Sequence, residues 1–97
     1  MIRYLTLLKF TDQGRKSLQK STARAAAFRA AATKAGITVE AQYWTTGAYD
    51  GAMVISAADE TAALRCIAEL AAAGDVQPET LRAFEAKDFE TVTKKSG

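Results

Sequence analysis

The sequence predicts a single α+β domain of order βαββαβ with a short helical tail. Three observations carry this prediction: apolar runs with strand-like alternation, two alanine-rich stretches with helical spacing and no proline, and glycine or aspartate punctuation between them. With 97 residues, 48% of them apolar and 25% charged, the chain suits one compact domain over residues 1–97. A domain of this size buries only roughly 60–65% of the surface its unfolded chain exposes, so a partner subunit adds a useful margin and a homodimer is expected.

Residues 1–10 form the first strand, and Thr11-Asp12-Gln13-Gly14 is a turn whose hydroxyl and carboxylate can cap a helix. The first helix is predicted over residues 15–35, with Leu18, Ala25, Phe28 and Ala32 on its apolar stripe and a break near Ser21-Thr22. Gly36 stops it. Residues 37–46 alternate as a half-polar strand. Gly47-Ala48-Tyr49-Asp50-Gly51 then turns into a short apolar strand, Ala52 to Ser56, to close a hairpin. Asp59 caps a second helix that runs to Ala73 with Ala63, Cys66, Ile67 and Leu70 inward, and Gly74-Asp75 ends it. The fourth strand covers residues 76–85; the sole proline, Pro78, places its start at a sheet edge or bulge. A terminal helix is expected over residues 87–94, packing Phe89 and Val92, and Lys95-Ser96-Gly97 is expected to fray.

This order is the ferredoxin-like arrangement, an antiparallel sheet with both helices on one face. The alternation is read with Leu5, Leu7, Val39, Ala41, Tyr43, Leu81 and Ala83 facing the helices. The opposite face then holds Tyr4, Thr6, Leu8, Phe10, Gln42, Trp44, Arg82 and Phe84. An exposed face so rich in aromatics marks an interface, and a second subunit is expected to cover it.

Composition excludes several chemistries. There is no histidine, which removes the commonest metal ligand, the usual haem ligand and the usual general base near neutral pH. Neither a metal nor a cofactor is expected. The single Cys66 cannot form an internal disulfide; on an apolar helix side it reads as an inert packed thiol. No segment approaches the roughly 20 apolar residues of a membrane span, so no membrane contact and a cytoplasmic location are expected. Net charge is +7 over residues 1–35 and −5 over residues 36–97, a split that signals either contact with nucleic acid or membrane or, equally, mutual attraction of the two halves on folding. The Lys16, Lys20, Arg24 and Lys34 helix face reads as solvated, because no nucleic-acid-binding signature accompanies it.

Four segments in order, Tyr4-Leu5-Thr6-Leu7, Phe10-Thr11-Asp12-Gln13-Gly14, Gly47-Ala48-Tyr49-Asp50 and Thr80-Leu81-Arg82-Ala83-Phe84, give the chain a resemblance over nearly its whole length. It resembles the GYD family of small bacterial proteins, with Ala48 set between the glycine and the Tyr-Asp pair. The resemblance implies a dimeric α/β barrel, two ferredoxin-like sheets face to face, and no particular reaction.

Six side chains are candidates for a ligand site: Tyr4, Gln42, Trp44, Tyr49, Asp50 and Arg82. Tyr49 and Asp50 either serve the hairpin turn alone or rim a pocket as phenol donor and carboxylate acceptor. Arg82, enclosed by a dimer, either forms an ion pair across the sheet or between subunits, with Glu40 one candidate partner, or binds a small organic anion bidentately, with Trp44, Tyr4 and Tyr43 lining the pocket. The leading functional expectation is a dimeric small-molecule-binding or stress-associated accessory module. The alternatives are a cofactor-free monooxygenase or isomerase acting on a phenolic or enolic substrate through Tyr49, Asp50 and Arg82, and a structural interaction platform.

Overall fold

The structure, a computed structural model, describes residues 1–94, so the expected fraying of Lys95-Ser96-Gly97 lies outside it. The elements are β1 (Ile2–Phe10), α1 (Asp12–Arg15), a 3₁₀ turn (Leu18–Lys20), α2 (Ser21–Lys34), β2 (Thr38–Trp44), β3 (Gly51–Ala57), α3 (Glu60–Ala72), β4 (Val76–Ala83) and α4 (Ala86–Thr93). The four strands make one antiparallel sheet in the order β2-β3-β1-β4, the ferredoxin-like α+β arrangement with an added C-terminal helix.

Local chemistry explains each boundary. Helical structure starts at Asp12 rather than at residue 15 because the Thr11 hydroxyl accepts from the Gly14 amide and caps it. The first helical segment is broken over residues 16–20, slightly before Ser21-Thr22. α2 closes with Gly36 at φ +82°: the Ile37 amide reaches the Ala32 carbonyl and the Gly36 amide the Thr33 carbonyl, the paired bonds of a Schellman end. Asp59 caps α3 through the Thr61 amide. Pro78 lies on the edge strand β4, where its missing N–H costs no interior ladder bond.

The core is centred on Ile55, fully enclosed, with Tyr4, Val39 and Met53 from the sheet meeting Ala32 of α2 and Ala63, Cys66 and Ile67 of α3. This reverses the expected faces of β1 and β4. Tyr4 and Thr6 are buried against the helices, and the half-buried Thr80 on the same side hydrogen-bonds Thr6 through their hydroxyls at 3.2 Å. Leu5, Leu7, Leu81 and Ala83, by register, line the open face. On β2 the expectation holds for Val39 and fails two residues later. Val39 pairs with Ile55 but Ala41 pairs with Val54, so Glu40 is a bulged extra residue that switches the alternation. Gln42 and Trp44 thereby turn to the helix side, and Ala41 and Tyr43 to the open face.

Two further expectations are corrected. Glu40 pairs with Arg3 at 2.8 Å, not with Arg82, because both sit on the open face, where Arg3 also reaches Glu85 at 2.6 Å. Phe89 and Val92 of α4 remain 56% and 63% exposed and pack into no core. The ion pairs of Arg3 with Glu40 and Glu85, and of Arg24 with Asp75, join the basic first third of the chain to the acidic remainder.

Candidate functional site

Small side chains create the site. The side of α2 that looks toward α3 is built from Ala25, Ala27 and Ala31, and α3 with its C-cap answers with Ala62, Cys66 and Ala73. Such residues cannot fill the space that two helices and a sheet enclose at ordinary packing density. α2 and α3 each sit on the sheet but barely meet each other. Between them lies a cavity of about 600 Å³.

Its walls are apolar over most of their extent: Leu8 and Met53 on the sheet, Phe28 on α2, Cys66 and Leu70 on α3. Polar groups gather where β1 and β2 end. The Gln42 amide donates to the Ala25 carbonyl at 3.1 Å, and the Trp44 indole N–H donates to the Ser21 hydroxyl at 2.9 Å, so α2 fixes both side chains. Asp50 stands beside them with one carboxylate oxygen accepting from the Phe10 amide at 2.9 Å. Arg24 closes this end; Nη1 donates to the Ser17 carbonyl and hydroxyl, Nε lies 3.6 Å from Asp75, and Nη2 is buried with no partner among the described residues. Arg65 and Glu69 of α3 complete the charged lining.

Of the six side chains singled out from sequence, the structure brings Gln42, Trp44 and Asp50 together at the cavity and sets Tyr4, Tyr49 and Arg82 apart from it. Tyr4 is buried in the core with its hydroxyl unpartnered among the described residues; burial, then Glu60, pushes its phenol above the usual range, while Arg82 pulls the other way. Arg82 lies on the edge strand. It donates to the carbonyls of Arg3 at 3.3 Å and Ala83 at 2.9 Å, and its guanidinium stacks over the Phe84 and Tyr4 rings at 4.6 and 5.7 Å. Tyr49 belongs to the open-face side of the hairpin. Its hydroxyl donates to Glu79, which raises its pKa, and Lys9 lies 5.3 Å over its ring.

Sequence reasoning missed Arg24, Phe28, Met53, Cys66 and Leu70 as lining residues. The available signal was the alanine content of the helices: facing alanine stripes in so small a domain leave a void. At the cavity wall burial, then Glu69, pushes the Cys66 thiol above its ordinary value, which disfavours the thiolate. Among the described residues no cluster of three potential metal ligands occurs, and no helix is long and apolar enough to cross a membrane.

No curated protein and no solved structure matched the chain. The GYD domain matches residues 4–93, which takes in β1 from Tyr4 onward, the other three strands, the cavity-forming helices and the hairpin that carries Tyr49 and Asp50. The chain therefore belongs to the GYD domain family.

Proposed function

We propose that the protein is a homodimeric small-molecule-binding module whose ligand sits between the sheet and the α2–α3 pair. The observation that carries this reading is the cavity: about 600 Å³ falls within the roughly 300–1,000 Å³ of small-molecule sites, and it combines apolar walls with a few fixed polar groups at one end. The matching ligand has a flat or flexible apolar body and one neutral polar group, such as a hydroxyl or carbonyl, directed at Gln42, Asp50 and Arg24. An anionic ligand is less well supported. Arg82, on which that expectation rested, lies outside the cavity, and Arg24 and Arg65 are outnumbered there by Asp50, Glu69 and Asp75. Binding is better supported than turnover, because the Tyr49, Asp50 and Arg82 that catalysis was expected to use are dispersed over three regions.

The homodimer is supported by the open sheet face. Leu5, Leu7, Ala41, Val54 and Leu81 line it, and Tyr43 is 64% exposed. A solvated antiparallel face is ordinarily polar. Here an apolar centre is flanked by Arg3 with Glu40 and Glu85 at one end and Lys9, Tyr49 and Glu79 at the other, the layout of an interface core with a polar rim.

The test is titration of 2-naphthol into the protein, followed by amide chemical shifts and by the fluorescence of Trp44, the sole tryptophan. Shifts confined to the cavity lining are expected, with affinity reduced at least tenfold in Ala31→Phe, which places a ring in the mouth. An absence of shifts at millimolar probe, or shifts confined to the open face, would overturn the cavity reading.

A further inference from the structure

We infer that α4 is a clasp that closes on a second copy of this chain beside the open sheet face, an inference that rests on the homodimer reading above. α4 has eight residues, none of them buried, and Phe89 and Val92 stand one turn apart on the same side. Isolated helices shorter than about 12–15 residues are marginal in water. A helix of this length, packed on nothing in its own domain, requires an external surface to hold it.

Its root points to which surface. Glu85, immediately before α4, spends its carboxylate on Arg3 rather than on capping the helix, and Arg3 lies on the open face with Glu40. The arm therefore leaves the domain from the edge of that face. The molecule measures 56 × 31 × 19 Å, and its short axis accommodates the sheet and helix layers without a third, so α4 extends outward rather than folding back over its own sheet.

Area selects the occupant. Four strands about 4.8 Å apart and seven paired residues of about 3.4 Å each give the face a projected area of roughly 450 Å², and surface taken up beyond its edge brings a pair closer to the approximately 800 Å² of accessible area per partner of a stable interface. Phe89 and Val92 add on the order of 200 Å² of apolar surface. In a two-fold pair each copy gives and receives one arm, so the contribution counts twice. At one end of the face Arg3 is paired with Glu40 and Glu85; at the other Glu79 accepts from the Tyr49 hydroxyl and Lys9 lies over the Tyr49 ring, so the charges a second copy covers already have contacts within the chain.

The experiment is sedimentation equilibrium with hydrogen exchange on the full-length protein, its Phe89→Ser/Val92→Ser variant and Leu7→Glu. The wild type is expected at twice its 10.4 kDa chain mass, with α4 amides whose protection rises with protein concentration. The double variant is expected to raise the dimer dissociation constant at least tenfold without changing exchange in β1 and β3, and Leu7→Glu to abolish α4 protection. A wild-type dissociation constant in the double variant, or α4 exchange independent of concentration in a wild-type dimer, overturns the clasp alone. A wild-type monomer at 100 µM overturns the homodimer and the clasp together. All three outcomes leave the cavity reading to its own test.

Discussion

Gly14→Ala is expected to destabilise the protein by about 3 kcal/mol or more and to lower its melting temperature by about 15 °C. Gly14 is buried where α1 meets the loop between α3 and β4, and a Cβ there would fall 2.0 Å from the Asp75 carbonyl oxygen and 3.0 Å from its carbon. Alanine favours a helix over glycine by about 1 kcal/mol, so propensity alone predicts the opposite sign. The clash prevails because the obstacle is backbone and is held from several sides. The Thr11 amide donates to the Asp75 carbonyl at 3.1 Å, the Thr11 hydroxyl to the Gly74 carbonyl at 2.5 Å, and the Gln13 amide to Ala73 and Asp75. Relieving the contact means opening that lock. Thermal unfolding by circular dichroism checks the sign; a variant as stable as the wild type would show that the two segments do not approach so closely.

Asp50→Ala is expected to cost about 2 kcal/mol, and Tyr49→Phe about 0.5 kcal/mol or less. The β1–β3 pairing ends at Leu8 opposite Gly51, so the Phe10 amide has no partner from β3. The Asp50 carboxylate takes that place, while the Asp50 amide donates to the Leu8 carbonyl at 2.8 Å and its carbonyl accepts from Thr45. The side chain thus extends the ladder by one bond past the end of the strand, and its ionised acceptor sets the larger cost. Asp50→Asn, which keeps an acceptor oxygen, is expected to recover about half of the loss. Tyr49 bonds only an exposed glutamate and has little to lose in a monomer. Denaturant titration of the three variants separates these roles. Equal losses for Tyr49→Phe and Asp50→Ala would mean that the pair acts as a unit.

Element order was legible because it is written in local chemistry: Gly36 at a positive φ, Asp59 as a cap, Pro78 at an edge. Which face of the sheet meets the helices was not. β1 is apolar on both sides, with Leu5 and Leu7 opposite Tyr4 and Leu8, so alternation gives no sign there, and only packing against Ala32 and Ala63 decides it. Of the two readings open for Asp50, the structure shows a carboxylate that serves the end of the hairpin through the Phe10 amide and also lines the cavity. Turn chemistry could not show that Tyr49 and Asp50, adjacent in sequence, serve opposite sides of the sheet. The site itself was legible only through Gln42, Trp44 and Asp50; a cavity is defined by missing volume, and alanines announce helix more loudly than they announce space.

The bulge at Glu40 has a consequence for how this architecture tolerates change. As one extra residue, it works as a phase shifter between the two halves of β2: everything before it keeps one parity, everything after it the other. Deleting that single codon would exchange the clientele of the two sheet surfaces, sending Gln42 and Trp44 out to the open face and Tyr43 in beneath α2. The cavity lining and the open sheet face are therefore geared to one another in this strand, and an insertion or deletion between Val39 and Ala41 rewrites both at once, where a substitution alters one at a time.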